Sequence, residues 1–137
     1  MGKNNRTHYK SVMIIDDNKI DRYVVEMVIK KNNFADEVIK MESGMEALDF
    51  ISSKLGQPDE LPELILLDIN MPEMNGFEFM EQYNLLPTEV KNCCIIMMLT
   101  TSIHPIDIER ANNNQYVLKF INKPLNTDKL KELTTAE

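Results

Sequence analysis

The sequence predicts a single α/β domain, a parallel β-sheet covered on both faces by helices. Three observations carry that expectation. Short apolar runs alternate along the chain with stretches of helical periodicity. The runs lack polar alternation, which marks strands buried on both faces. The 137 residues give room for one domain with a core of its own.

Taken in order, Ser11-Val12-Met13-Ile14-Ile15 reads as the first strand, ending at Asp16-Asp17-Asn18. A helix follows, and its periodicity puts Ile20, Tyr23, Val24, Met27 and Val28 on one side as the expected inner stripe. Asn32-Asn33 breaks it. Val38–Met41 is a short second strand, and Ser43-Gly44 opens a helix carrying Ala47, Leu48 and Ile51. Leu64–Leu67 is the third strand, ending at Asp68. The turn-rich segment from Asn70 to Gly76 leads to a helix with Phe79, Met80 and Tyr83, closed by Pro87. Cys93–Leu99 is read as the fourth strand, ending at Thr100-Thr101-Ser102. Pro105 starts a helix with Ile108 and Ala111 inside. Val117–Ile121 is the fifth strand, ending at Asn122-Lys123-Pro124, and the last helix runs from Asn126 to Leu133 with Asn126 or Thr127 as its cap. Met1 to Lys10 is expected to be a loose arm.

Composition narrows the function. Fifteen basic residues against 22 acidic ones give a net charge of -7. Nucleic-acid binding needs clustered basic residues to neutralise phosphates, so it is not expected here. No apolar run reaches the ~18 residues of a membrane span, and the polar N-terminus has no signal-peptide core. A cytoplasmic protein is therefore expected. The two cysteines, Cys93 and Cys94, are adjacent. That excludes a disulfide framework or a zinc spacing and leaves two buried strand thiols as the reading.

The chemistry is concentrated where strands end. In the strand order 2-1-3-4-5, the ends of strands 1, 3, 4 and 5 are neighbours, and ligands in open α/β sheets bind beyond such ends. Asp16, Asp17, Asp68, Thr100 and Lys123 would then meet at one rim. Converging carboxylates repel one another, and a divalent cation relieves that repulsion. An all-oxygen site suits Mg2+, which keeps waters that phosphoryl oxygens can replace. A carboxylate can also act as a nucleophile toward phosphorus. Mg2+, the Lys123 ammonium and the Thr100 hydroxyl would then share the three equatorial oxygens.

With these residues in hand, the chain resembles the receiver domain of bacterial two-component response regulators, of the single-domain type. Asp16-Asp17 follows the first strand. The segment from Asp68 through Gly76 matches the signature D-x-x-M-P-x-M-x-G at every fixed position. Leu99-Thr100 ends the fourth strand, Lys123-Pro124 ends the fifth, and Glu46-Ala47-Leu48 follows Gly44. The resemblance implies a flavodoxin-like, doubly wound five-stranded parallel sheet in the order 2-1-3-4-5 with five helices. It places the domain at residues 11–133, between the arm at 1–10 and a tail at 134–137. It implies Asp68 as phosphoacceptor, and Asp16, Asp17, Asp68 and the Asn70 backbone carbonyl as Mg2+ ligands. Thr100 and Lys123 would contact the phosphoryl group. Thr100 and Phe120 would form the switch, with Phe120 biased inward because it lacks a tyrosine hydroxyl. The Lys123-Pro124 bond is expected to be cis.

The resemblance implies a sensor histidine kinase or phosphotransfer protein as donor, a downstream protein target of unknown identity, and scope for phosphorylation-dependent dimers. It implies a regulatory module rather than an enzyme, with only self-catalysed phosphorylation and autodephosphorylation. Two departures stand out. Asn112-Asn113-Asn114-Gln115 replaces a usual Gly-Ala, so Asn114 is expected to cap its helix in the left-handed conformation. Thr101 stands where Ala is common, which predicts slow loss of the phosphoryl group. The nearest alternative is a receiver cut from a longer response regulator or hybrid histidine kinase, although Met1 fits a natural start. A haloacid-dehalogenase-type phosphohydrolase would want D-x-D-x-T and a cap insertion. A flavodoxin-like cofactor binder would want a phosphate loop after the first strand.

Overall fold

In the computed structural model, residues 8–101 and 104–134 are described. Residues 1–7 of the expected arm, Ser102, and residues 135–137 of the expected tail lie outside them. Five strands, β1 (Tyr9–Ile15), β2 (Ala35–Met41), β3 (Leu64–Leu67), β4 (Ile95–Thr100) and β5 (Val117–Asn122), form one parallel sheet in the order β2-β1-β3-β4-β5. The helices among the described residues are α1 (Lys19–Lys31), α2 (Gly44–Ser53), α3 (Gly76–Tyr83), α4 (Thr88–Cys93), α5 (Pro105–Asn113) and α6 (Thr127–Thr134).

The apolar runs divide between two cores because successive strand residues face opposite ways. Val12 and Ile14 of β1, Leu64 and Leu66 of β3, and Met97 and Leu99 of β4 pack under α1 and α6. Met13 and Ile15, Ile65 and Leu67, and Ile96 and Met98 pack under the helices on the other face. Each fully buried Leu or Ile side chain is worth roughly 1.5–3 kcal/mol of transfer free energy. The two layers therefore fix the sheet position by position, and with it the level at which each strand ends.

The structure corrects four expectations. The first helix is rotated: Val25 and Ile29 are buried, whereas Ile20, Tyr23 and Met27 of the expected inner stripe are 72%, 60% and 50% exposed. β1 begins at Tyr9, which is fully buried against Phe34, so Tyr9 and Lys10 belong to the sheet and not to the arm. Among the described residues there are six α-helices rather than five. Pro87 opens the short α4 instead of only closing α3, and Val90 anchors it in the core, so Cys93 is helical and Cys94 precedes β4. Asn114 ends α5 with φ -84° and ψ 119°, an extended conformation. Its side-chain oxygen accepts from the Tyr116 N–H at 2.9 Å, which satisfies the turn without a left-handed residue.

Candidate functional site

The strand order reverses between β1 and β3, and the register there pairs Ile15 with Leu67. The next residues, Asp16 and Asp68, therefore emerge side by side, and the Asp68 N–H donates to the Ile15 carbonyl at 3.0 Å. Across the sheet Thr100 pairs with Asn122, and the Lys123 N–H donates to the Thr100 carbonyl at 2.8 Å. Asp16, Asp17 and Asp68 each offer a carboxylate oxygen within 4.8 Å of the others. The Lys123 ammonium reaches into the same group. Its Nζ lies 2.5 Å from Asp16 Oδ2, 2.9 Å from Asp21 Oδ2 and 3.6 Å from Asp68 Oδ2.

Burial sets the electrostatics. Asp68, Asp16 and Thr100 are buried, and Asp17 is exposed. Desolvation pushes the Asp68 carboxyl above its ordinary pKa. The Lys123 charge opposes the rise and the Asp16 charge adds to it, while hydrogen bonds from the Thr100 hydroxyl and the Asn70 backbone N–H favour the ionised form. Burial works against the charge on Lys123, but its hydrogen bonds to Asp16 and Asp21 and the charges of Asp68 and Asp16 outweigh it and raise its pKa.

The loop after β3 is shaped by identifiable residues. A Cβ on Gly76 would lie 2.6 Å from the Asp68 carbonyl oxygen and 2.9 Å from the Ile69 Cα. Glycine is required because the start of α3 packs on the backbone of Asp68 itself. The Gly76 N–H donates to the Ile69 carbonyl at 2.8 Å. Asn75 and Glu78 form a reciprocal capping box that fixes where α3 begins. Glu73 holds φ at 67°, a left-handed turn position after Pro72. The bond between Lys123 and Pro124 is cis.

The structure thus brings together Asp16, Asp17, Asp68, Thr100 and Lys123. Asn70 joins through its N–H to Asp68. Phe120 stands apart from the cluster: it pairs with Met98 across β4 and β5 and packs half-buried against the core beneath α2 to α5. Sequence reasoning missed three members, all in the first turn of α1 or just before it. Asn18 caps α1 and donates its N–H to Asp16 Oδ1 at 2.9 Å. Arg22 Nη1 donates to the Asp16 carbonyl at 2.7 Å. Asp21 binds Lys123. The only sequence signal for Asp21 is an acidic residue in the first turn of a helix, which is common for reasons unrelated to a site.

The donor set, three carboxylates with no sulfur or imidazole, fits a hard divalent cation such as Mg2+. A cation beside this buried carboxylate, whose pKa burial raises, would favour its ionised form.

A doubly wound α/β domain with an acidic, lysine-bearing site at its topological switch point is the class that fold and site define. The family model for the response regulator receiver domain matches residues 12–135. The chain belongs to that family. It is 27% identical over 120 residues to the "Probable methanogenesis regulatory protein FilR2" of Methanothrix harundinacea, covering 88% of this chain and 76% of that protein. It spans 52% of the two-component response regulator ORR1 of Oryza sativa and 67% of the response regulator Rcp1 of Synechocystis. A two-component response regulator from Cytophaga hutchinsonii superimposes with a TM-score of 0.84 at 28% identity, over 92% of this chain and 94% of that one. The Mn2+-bound form of response regulator Rcp1 gives 0.71 at 26%, over 91% and 89%. None of the helices among the described residues is long and apolar enough to cross a membrane.

Proposed function

We propose that this receiver domain takes a phosphoryl group onto Asp68 from a sensor histidine kinase or phosphotransfer protein and relays it by changing its affinity for a downstream protein. The observation that carries the reading is the Asp68 carboxylate itself. It is buried and raised in pKa, with carboxylate oxygens of Asp16 and Asp17 within 4.8 Å and the Lys123 ammonium 3.6 Å away.

An ionised Asp68 oxygen attacks the phosphorus of a phosphohistidine. The O–P bond forms, the P–N bond breaks, and the imidazole nitrogen keeps the electron pair. Asp16, Asp17, Asp68 and the Asn70 carbonyl would hold Mg2+, which when bound would supply charge neutralisation for the transferred group. The Lys123 ammonium donates to one phosphoryl oxygen and the Thr100 hydroxyl to another. Thr100 moving toward the phosphoryl group leaves space that Phe120 fills, which couples the site to the surface around α5 and β5. The chain's own phosphoryl chemistry is limited to this self-catalysed gain and loss, and the domain works in the cytoplasm. The exposed apolar side chains Ile20, Tyr23 and Met27 on α1, next to the site, support docking of a protein donor rather than a small-molecule substrate. The domain unit is residues 11–133, extended at its start by Tyr9 and Lys10.

Acetyl phosphate with Mg2+ tests the reading. Intact mass is expected to show one added phosphoryl group on the wild-type chain and none on Asp68→Asn. Equal labelling of both would overturn it.

A further inference from the structure

Lys123 has three N–H groups and three carboxylates around it. Two of the N–H groups make hydrogen bonds, to Asp16 at 2.5 Å and Asp21 at 2.9 Å. The Asp68 oxygen at 3.6 Å is near enough for charge attraction and too far for a hydrogen bond. The ammonium therefore leans toward α1 and away from the proposed phosphoacceptor. Asp21 does not belong to the acidic group that could hold a cation.

The two hydrogen-bonded partners differ in one respect that decides their roles. The Asp16 side chain is 4% exposed, and the Asp21 side chain is 37% exposed. If Lys123 moves, Asp16 loses a partner it cannot replace with water, whereas Asp21 turns to solvent at small cost. Asp21 also borders a cavity of about 180 Å³ that it shares with Val24, Val25, Thr101, Lys123 and Leu125, so the ammonium has open space beside it. The backbone of Asp21 is nevertheless fixed. Its N–H donates to the Asn18 side chain at 2.9 Å, and the Asn18 N–H donates to Asp16. The first turn of α1 thus presents Asp21 to Lys123 at a set position.

We propose that Asp21 is a positioning residue: it holds the Lys123 ammonium on the α1 side, off the Asp68 carboxylate, until a phosphoryl group draws it across. This rests on the phosphoacceptor reading above. Asp21 shares the ammonium with Asp16 on the α1 side, which leaves Asp17 and Asp68 open to a cation. Without it, Lys123 closes onto Asp68, competes with the cation, and is already in place for an incoming phosphoryl oxygen.

The test is a double-mutant cycle on the whole chain. Mg2+ affinity is measured by calorimetry for wild type, Asp21→Asn, Lys123→Ala and the double variant. Acetyl phosphate kinetics are followed by intact mass for wild type and Asp21→Asn. Asp21→Asn is expected to weaken Mg2+ binding about threefold, the scale of a partly exposed ion pair. In the Lys123→Ala background the same change is expected to have no effect. At saturating Mg2+, the half-saturating acetyl phosphate concentration should fall by a similar factor. An equal Mg2+ shift in both backgrounds would mean that only the charge of Asp21 matters, and would overturn the proposal. So would no shift in either, or a rise in half-saturating acetyl phosphate. A wild-type chain that takes no phosphoryl group at all would instead sink the phosphoacceptor reading.

Discussion

Two buried polar clusters in this molecule are handled in opposite ways. At the rim of the sheet, Asp16 and Asp68 are buried with a lysine among them. Beneath α3, the Tyr83 hydroxyl and the Cys94 thiol are buried side by side. Burial raises the pKa of both, Cys94 to about 12, so both stay neutral. Among the described residues the Tyr83 hydroxyl makes no hydrogen bond of good geometry, although the Cys94 thiol lies close enough to interact with it. Desolvation acts on both clusters. It is answered with an opposite charge where the strand ends open to a ligand, and with neutrality where the groups only fill space.

The difference can be broken or sharpened by experiment. The largest effect is expected at Cys94. A thiol of pKa about 12 holds roughly a thousandfold less thiolate at pH 8 than an ordinary cysteine. Iodoacetamide should therefore label Cys94 about that much more slowly than a free thiol until the chain is denatured, read by peptide mass. Fast labelling in the folded chain would show that the cluster is not sealed.

Removing the charge that answers the rim comes next. Lys123→Ala leaves Asp16 and Asp68 without their buried partner, and about 3 kcal/mol of stability should be lost in urea unfolding. Mg2+ should restore much of it, because the cation replaces the missing charge.

A smaller effect is the pH dependence of Asp68. Its folded pKa is raised, so the folded state binds the proton more tightly than the unfolded chain. The ionised carboxylate thus costs stability at neutral pH, and that cost disappears as pH falls through the folded value. Without metal, Asp68→Asn should be more stable than wild type at neutral pH, with the gap closing on acidification. A gap that widens would reverse the sign of the shift.

The smallest expected change is Tyr83→Phe, which removes a buried hydroxyl that gains no hydrogen bond. Stability should rise or stay within about 1 kcal/mol by thermal unfolding. A larger loss would show that the hydroxyl has a partner.

Much of the site could be read from the chain because four of its members sit at the ends of apolar runs. Asp16, Asp68 and Lys123 follow β1, β3 and β5 directly, Thr100 is the last residue of β4, and a strand buried on both faces is recognisable from its residues alone. The face of α1 could not be read in that way. Ile20, Tyr23 and Met27 satisfy helical periodicity as well as Val25 and Ile29 do. The choice between them is made by polar contacts: the Asn18 cap, Arg22 on the Asp16 carbonyl and Asp21 on Lys123 turn the helix so that Val25 and Ile29 face inward. α4 was hidden for a related reason. Cys93 and Cys94 continue the apolar run of β4, and only the packing of Val90 shows that the run starts after a helical turn.

The sequence by itself determined the alternation of strands and helices, the strand ends and the acid, hydroxyl and amine groups placed there. Those follow from local periodicity, which needs no knowledge of neighbours. The tertiary structure decided the rotation of α1, the boundary of β4 and the second carboxylate on Lys123. Each of these depends on which of several locally equal options meets a partner about a hundred residues away, as Asp21 does with Lys123, and distance along the chain carries no trace of that meeting.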